Sequence, residues 1–202
     1  MESLAFGQAL QRCRCHFLPE LRSTRRALVL GDGDGRFAEQ LLLSSQTEVL
    51  ALDASAAMLA TLQQRCTKAG MGDRVTVQQA DLAAPLPALA LSQKFDLVTT
   101  HFFLDCLSED EVRLLAARLL PVLTPDARWI VSEFHVPGNA LRTPARLLIR
   151  SLYLAFRLLT GLKTQQMPPY GNVLTDLGLR RVRQVFHLRG LLVSEMWMPP
   201  RS

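Results

Sequence analysis

The sequence has no apolar run long enough to span a membrane. Its longest apolar stretch, LLIRSLYLAFRLL from Leu147, is interrupted by Arg150 and Arg157 and is shorter than the roughly 20 residues that a spanning helix needs. The opening stretch, MESLAFGQALQRCRCHFLPEL, has an acidic second residue and scattered arginines but no sustained apolar core, so it does not predict a secretory signal. We therefore expect a cytoplasmic protein without a transmembrane segment.

Patterns typical of metal sites and nucleic-acid surfaces are also missing. Among the four cysteines, Cys13 and Cys15 form a close pair, but no second pair or histidine cluster completes a zinc-binding pattern. The formal net charge is +5, yet the arginines are spread through the chain and no basic run alternates with aromatic residues. We therefore predict free, partly buried thiols, no metal cofactor and no nucleic-acid partner.

The chain does contain a regular alternation of apolar runs and helical patterns. With 202 residues, 49% of them hydrophobic, it can bury the core of one α/β domain. Helical spacing predicts helices over 36–44, from a Ser55 cap to about Lys68, and after Ser108, which precedes Glu111 as in a capping box. Such alternation predicts a doubly wound, mostly parallel sheet covered on both faces. The apolar runs that predict its first five strands are ALVL from Ala27, EVLALD from Glu48, RVTVQQAD from Arg74, FDLVTTHF from Phe95 and RWIVSEF from Arg128.

Three segments depart from this alternation. Residues 1–26 predict a helical N-terminal segment, and residues 137–170 predict an inserted lid with a long helical stretch. The segment from Arg181 has two β-type runs separated at Arg189 and Gly190, which predicts a hairpin that ends the sheet with an antiparallel strand. We expect all three to belong to a single domain.

A glycine-rich loop follows the first predicted strand. In GDGDG, Gly31, Gly33 and Gly35 stand between a strand and a helix, where the backbone can approach a ligand and helix N-terminal amides face it. Tight strand-to-helix turns also use glycine for purely steric reasons. Because Arg36 and Phe37 follow directly, the spacing fits GxGxG better than the GxGxxG of dinucleotide-binding proteins. The loop therefore favours a nucleotide-like cofactor other than NAD.

Two aspartates follow the next strands. Asp53 ends the second strand, where a carboxylate can accept both ribose hydroxyls of an adenosine, although aspartate before a helix also caps backbone amides. Asp81 ends the third strand and could accept a hydrogen bond from the adenine amino group. Ala54, Met58 and Leu82 offer apolar contacts to the adenine ring.

Together these motifs resemble the Rossmann-like (class I) S-adenosylmethionine-dependent methyltransferases. The resemblance spans roughly residues 27 to 135 and also includes the C-terminal hairpin, since that family's sheet ends in an antiparallel seventh strand. It implies an α/β fold with seven strands, S-adenosylmethionine as cofactor and a small, single-domain member of bacterial type. The matching segments are ALVLGDGDG, VLALDASAAML, VTVQQADL, FDLVTTHFFLD and LTPDARWIVSEF.

The resemblance also implies cofactor contacts at Asp32, in the glycine loop, and at Thr99, in the fourth strand. One position departs from the family, which often has Asp or Glu two residues before the first glycine to help hold the methionine end of the cofactor. This sequence has Val29 there. Asp32 and Asp34 are the nearest acids, but neither occupies the same place.

His101, just beyond the fourth strand, is the first candidate for a catalytic base because that strand end borders the methyl-transfer site in the family. The alternative is that His101 packs beside Phe102 and Phe103 and hydrogen-bonds a backbone group. Glu133 and His135, after the fifth strand, are second candidates, for which an ordinary polar surface is the alternative.

The 137–170 segment has three interpretations. Its aromatic and methionine side chains, Tyr153, Phe156, Met167 and Tyr170, suggest an apolar cover for a hydrophobic or aromatic acceptor. The same stripe is typical of a helix packed as core. Arginines beside apolar residues also fit peripheral docking on a membrane surface.

The sequence thus predicts transfer of a methyl group from S-adenosylmethionine to a small, hydrophobic or aromatic acceptor. A non-catalytic cofactor-binding or interaction protein that kept the fold is the alternative, motivated by Val29. A nicotinamide-dependent oxidoreductase on the same sheet ranks last.

Overall fold

The computed structural model describes residues 2–137 and 168–200. The predicted lid at 137–170 lies almost entirely outside the described residues, including Tyr153, Phe156 and Met167. The described helices are α1 (Glu2–Arg14), α2 (Arg36–Ser44), α3 (Ala56–Lys68), α4 (Ala88–Leu91), α5 (Glu109–Leu119) and α6 (Tyr170–Asp176). The strands are β1 (Arg26–Leu30), β2 (Glu48–Asp53), β3 (Val75–Gln79), β4 (Phe95–His101), β5 (Leu123–Phe134), β6 (Arg180–His187) and β7 (Leu192–Met198).

The seven strands form one sheet in the order β3-β2-β1-β4-β5-β7-β6. The first five strands are parallel to one another, and β7 runs antiparallel between β5 and β6. The predicted α/β class, the mostly parallel sheet and the antiparallel C-terminal hairpin are confirmed. Because β1 lies at the centre with chain crossovers to both sides, the sheet order reverses there, and such switch points are where ligands bind in open α/β sheets.

Helices cover both faces of the sheet. On one face α2 and α3 pack through Phe37, Leu41 and Leu62 against β1 and its neighbours, joined by Phe17 after α1. On the other face α5 and α6 bury a second cluster, which includes Leu115, Leu119, Val173 and Leu174. This double covering explains why the strands are continuous apolar runs rather than alternating ones.

Side-chain caps fix two helix starts where the sequence predicts them. The Ser55 hydroxyl accepts a hydrogen bond from the Met58 amide at 3.3 Å at the start of α3. At the start of α5, the Ser108 hydroxyl accepts from the Glu111 amide and the Glu111 carboxylate accepts from the Ser108 amide at 2.7 Å. The predicted capping box is therefore present, and such caps contribute about 1 kcal/mol each.

Helix α1 is fastened to the far end of the chain. The buried Cys13 thiol lies 3.2 Å from the Ser194 hydroxyl of β7, and that hydroxyl donates to the Cys13 carbonyl at 2.7 Å. Two residues before Cys13, the Gln11 side-chain amide donates to the Arg36 carbonyl at 3.2 Å. These contacts place the last turns of α1 beside the start of α2.

No helix in the described ranges is both long and apolar enough to cross a membrane. The same residues contain no group of three or more histidine, cysteine or acidic side chains arranged to hold a metal ion.

Candidate active site

The glycine loop lies at the carboxyl end of β1, in the centre of the sheet. Gly31, Gly33 and Gly35 have φ angles of +65°, +62° and +80°, a region that is costly for residues with a Cβ atom. The Gly31 amide donates to the Leu52 carbonyl of β2 at 2.9 Å, which holds the loop against the neighbouring strand end.

The three glycines serve different purposes. A Cβ atom at Gly31 would lie 2.6 Å from the Phe103 ring, and one at Gly35 would lie 2.5 Å from Leu62, so both positions are closed by packing. At Gly33 no residue of the described ranges lies within 4 Å of that point. The steric interpretation therefore applies to Gly31 and Gly35, whereas at Gly33 the described residues leave space, and its contact with a cofactor stays a prediction.

The two acids of the loop also differ. Asp32 is only 4% exposed, and one of its oxygens, Oδ2, accepts from the Ala38 amide at 2.9 Å. Its other oxygen, Oδ1, is buried without a hydrogen-bond partner among the described residues. Burial raises the pKa of Asp32 to about 6. Asp34 instead pairs with Arg36 at 2.9 Å and Arg65 at 3.0 Å, so its carboxylate is already engaged.

Asp53, at the end of β2, and Asp81, after β3, each use one carboxylate oxygen in a local turn. Asp53 Oδ1 accepts from the Ser55 amide at 2.8 Å, and Asp81 Oδ1 accepts from the Ala83 amide at 3.0 Å. Neither second oxygen has a hydrogen bond to another described residue, so each carboxylate keeps an acceptor for a ligand. Of the apolar side chains predicted beside them, Met58 is 43% exposed and Ala54 is exposed, whereas Leu82 is buried. Their contacts with a cofactor stay predictions.

Thr99, predicted as a cofactor contact, and His101, predicted as a catalytic base, are both buried. Thr99 is fully buried and His101 is 2% exposed. Alternate residues of β4 point to one sheet face, which α1 and α2 cover, and the His101 ring lies 4.4 Å from the Phe37 ring of α2. The cofactor contact at Thr99 and the catalytic base at His101 stay predictions.

The hydrogen bonding of His101 fits a structural role. Its Nδ1 lies 2.9 Å from the Ser132 hydroxyl, and its Nε2 is buried without a partner among the described residues. Burial and the nearby charge of Arg14 hold the pKa of His101 well below its usual value, so the ring is neutral. The interpretation of His101 as a packed, hydrogen-bonded core histidine therefore agrees with the geometry, although the partner is a side chain rather than the backbone.

Glu133 and His135 have structural partners as well. Glu133 is fully buried, and its Oε1 accepts from the Phe103 and Leu104 amides at 3.0 and 2.8 Å, which caps the turn after β4. Burial and the neighbouring Asp105 raise the pKa of Glu133 well above its usual range. His135 Nδ1 lies 2.8 Å from the Gly190 carbonyl of the β6–β7 turn. The expected polar surface is thus wrong for Glu133.

Sequence reasoning missed one residue at this edge, Arg14 in the last turn of α1. Its guanidinium carbon lies 5.3 Å from the centre of the Phe102 ring, and that ring lies 5.2 Å from Phe134. Phe102 has a φ of +54°, an unfavourable conformation for an aromatic residue, so the backbone after β4 is held by its surroundings. The only signal for Arg14 was a basic last turn, which equally suits the helix dipole.

Residues 27–126 match a family model described as a methyltransferase domain. The match contains the glycine loop, both aspartates at the ends of β2 and β3, and all of β4. The chain belongs to the Rossmann-like, class I S-adenosylmethionine-dependent methyltransferase family. The matched segment includes Gly33, where a Cβ atom would meet no described residue within 4 Å.

A curated methyltransferase similar to this chain is the demethylmenaquinone methyltransferase of Lactiplantibacillus plantarum. The two are 35% identical over 117 residues, which cover 58% of this chain and 47% of the relative. The chain spans about half the length of the curated relatives it matches.

Solved methyltransferase structures share the fold across almost the whole chain. The mitomycin 7-O-methyltransferase MmcR superposes with a TM-score of 0.73 at 16% identity, covering 98% of this chain and 54% of the other. CalO1, a methyltransferase of calicheamicin biosynthesis in its S-adenosylhomocysteine-bound form, superposes with a TM-score of 0.69 at 18% identity, covering 98% and 55%. At these identities the likeness concerns the fold alone.

Proposed function

We propose that this protein transfers a methyl group from S-adenosylmethionine to a small, hydrophobic or aromatic acceptor at the carboxyl edge of β1–β5. The observation that carries the proposal is the pairing of open space at Gly33 with unused carboxylate oxygens on Asp53 and Asp81, all within the segment that matches the family. These three positions lie at the ends of adjacent strands, where an extended nucleoside can contact them together.

Each residue has a distinct task in this proposal. The Gly33 backbone approaches the cofactor closely, Asp53 accepts hydrogen bonds from the ribose hydroxyls, and Asp81 accepts one from the adenine amino group. Ala54 and Met58 present exposed apolar surface to the adenine ring. Leu82 is buried and belongs to the hydrophobic core.

When bound at Gly33, Asp53 and Asp81, S-adenosylmethionine would supply an electrophilic methyl group for an oxygen, nitrogen or carbon of the acceptor, with the S–C bonding electrons kept on sulfur and S-adenosylhomocysteine as the other product. The protein's part is to align the acceptor and exclude water, which can supply much of the rate without a strong base. His101 is neutral but buried in this structure, so we assign the acceptor's proton to solvent rather than to this ring.

The aromatic character of the strand ends supports an apolar acceptor. Phe102 and Phe134 lie together at the ends of β4 and β5, beside the glycine loop that Phe103 packs against. The printed names of the relatives are consistent with this choice, since one is a demethylmenaquinone methyltransferase and another structure is a mitomycin 7-O-methyltransferase.

Calorimetric titration with S-adenosylmethionine, S-adenosylhomocysteine and NAD tests the proposal. We expect micromolar binding of both sulfur compounds and none of NAD. Apolar phenols and quinols would then be screened for acceptor-dependent release of S-adenosylhomocysteine. Tight binding of NAD without the sulfur compounds would contradict the proposal.

A second candidate is a cofactor-binding protein that performs no transfer, favoured by Val29 in place of the family's acid and by the burial of His101. It predicts binding of S-adenosylhomocysteine with no turnover on any acceptor class. Release of S-adenosylhomocysteine above the rate of the uncatalysed mixture would exclude it.

A further inference from the structure

The amino-acid end of S-adenosylmethionine carries an ammonium and a carboxylate, and both need partners in a methyltransferase site. The residue that often provides the acid in this family is Val29 here, which is 1% exposed inside β1. Its register partner on β4 is Thr99, whose hydroxyl is buried without a partner among the described residues. The usual place on β1 therefore offers no charge.

Two charged side chains near this place have unused bonding capacity. Asp32 is buried, and its Oδ2 accepts from the amide of Ala38, while its Oδ1 has no hydrogen-bond partner among the described residues. Arg14 is half-buried, and its guanidinium makes no hydrogen bond or ion pair with any residue of the described ranges, its buried Nε included. A charged pair of opposite sign with open bonding positions matches the two ends of a zwitterion.

Several contacts bring Arg14 to the glycine loop. Its guanidinium lies over Phe102, and the adjacent Phe103 packs directly against Gly31. One turn earlier in α1, Gln11 donates to the carbonyl of Arg36, the residue that follows the loop. Arg14 is also close enough for its charge to lower the pKa of Asp32, against the larger effect of burial.

We propose that Arg14 and Asp32 hold the amino-acid end of the cofactor, with the Arg14 guanidinium on its carboxylate and Asp32 Oδ1 on its ammonium. This inference rests on the proposed function. It assigns the charged contacts, which β1 often provides in this family, to α1 and the glycine loop. Arginine suits the carboxylate because its planar group can donate two parallel hydrogen bonds.

Structural roles account for only part of these side chains. One oxygen of Asp32 caps α2. The other oxygen is removed from water without gaining a hydrogen bond in return. Stacking on Phe102 uses the face of the Arg14 guanidinium and leaves its donors free. A zwitterionic ligand provides hydrogen-bond partners for both the second oxygen of Asp32 and the donors of Arg14.

The test compares two ligands that share the nucleoside and the sulfur. S-adenosylhomocysteine carries the amino-acid end, and 5′-methylthioadenosine does not. Calorimetry is run on wild type, Arg14→Met and Asp32→Asn, with Arg12→Met as the matched control, because Arg12 is an exposed arginine of the same helix turn.

We expect Arg14→Met and Asp32→Asn each to weaken S-adenosylhomocysteine binding at least tenfold, while 5′-methylthioadenosine binding stays within twofold of wild type. Arg12→Met changes neither, and Arg14→Lys recovers part of the loss because it restores a cation. Circular dichroism and thermal melting establish that each variant is folded.

Two results overturn the inference alone: unchanged S-adenosylhomocysteine affinity in both variants, or equal weakening of the two ligands. If wild type binds neither ligand, the proposed function itself fails and takes this inference with it. The wild-type titration thus separates the two failures.

Discussion

Polar residues behave differently at the two halves of the sheet's carboxyl edge. In the half proposed to bind the cofactor, here called the cofactor half, Asp53 at the end of β2 and Asp81 after β3 each keep one oxygen without a hydrogen bond to another described residue. In the half proposed to bind the acceptor, here called the acceptor half, His101 of β4 and Glu133 of β5 point into the protein and bond to neighbouring groups. The difference comes from the helices that cover the sheet, since the His101 ring packs against Phe37 of α2.

The largest effect is expected within the glycine loop. Gly35→Ala places a Cβ atom 2.9 Å from the Leu62 backbone at a φ of +80°, so we expect a loss of about 3 kcal/mol in unfolding free energy. Gly33→Ala meets no neighbour and should lose only about 1–2 kcal/mol while weakening S-adenosylhomocysteine binding. Urea unfolding and calorimetry measure both. Equal destabilisation by the two substitutions would contradict the distinction between packed and ligand-facing glycines.

A slightly smaller effect is expected in the acceptor half. Glu133→Ala removes the acceptor for the Phe103 and Leu104 amides, so we expect a loss of about 2–3 kcal/mol by urea unfolding. Glu133→Gln keeps an acceptor oxygen without a buried charge and should lie within about 1 kcal/mol of wild type. If Glu133→Gln were as unstable as Glu133→Ala, the charge rather than the cap would be what the fold needs.

Asp32 belongs to the cofactor half but is as buried as the residues of the acceptor half. Its pKa is raised from 3.8 to about 6, so the folded state binds the proton more tightly than the unfolded state between these values. The contribution of Asp32 to stability is therefore largest below pH 4 and declines as the pH rises through about 6. Arg14, Cys15, Cys66 and Asp34 are the charged or titratable groups that act on it or feel its charge.

We accordingly expect Asp32→Asn to be more stable than wild type at pH 7.5 by about 1–2 kcal/mol, and this difference to shrink toward pH 4. Thermal unfolding across that pH range measures this difference. Asp34→Asn is the control, because the Asp34 carboxylate forms ion pairs with Arg36 and Arg65. A gain in stability that does not change with pH would show that the Asp32 charge is not its source.

The smallest effect is expected for ligand binding at His101. Because the ring is buried, His101→Gln should leave S-adenosylhomocysteine affinity within about twofold of wild type, whereas Asp53→Ala should lower it about tenfold or more. Calorimetry compares the two. A large loss of S-adenosylhomocysteine affinity in His101→Gln would contradict this prediction and indicate that the ring contacts the ligand.

The sequence predicts the local structure of the cofactor half well because its signals are local. Glycine, a helix cap and an acid after an apolar run each report on the residues beside them, and the glycine loop, the Ser55 cap and the end of β2 at Asp53 lie where they were expected. The cofactor contacts of these residues stay predictions. In the acceptor half, the environment of each β4 side chain depends on which face of the sheet it points to. Thr99 shares the face of its register partner Val29, and only the docking of α1 and α2 decides that this face is sealed.

Arg14 was unpredictable for the same reason. An arginine at the end of an amphipathic helix has many ordinary uses, and its position over Phe102 depends on where α1 packs. That position is set by contacts such as Cys13 with Ser194, which no local pattern encodes.

The contact between α1 and β7 joins distant parts of the chain. Cys13 and Ser194 are 181 residues apart in the chain, so α1 leaves the ribosome long before its docking partner exists. Until β7 joins the sheet, the parallel strands can pair, but α1 does not yet cover the face of the sheet beside β1. Completion of this region is therefore a late, long-range event, and a nascent chain stalled before β7 would contain the glycine loop and α1 but not the contacts between Cys13 and Ser194.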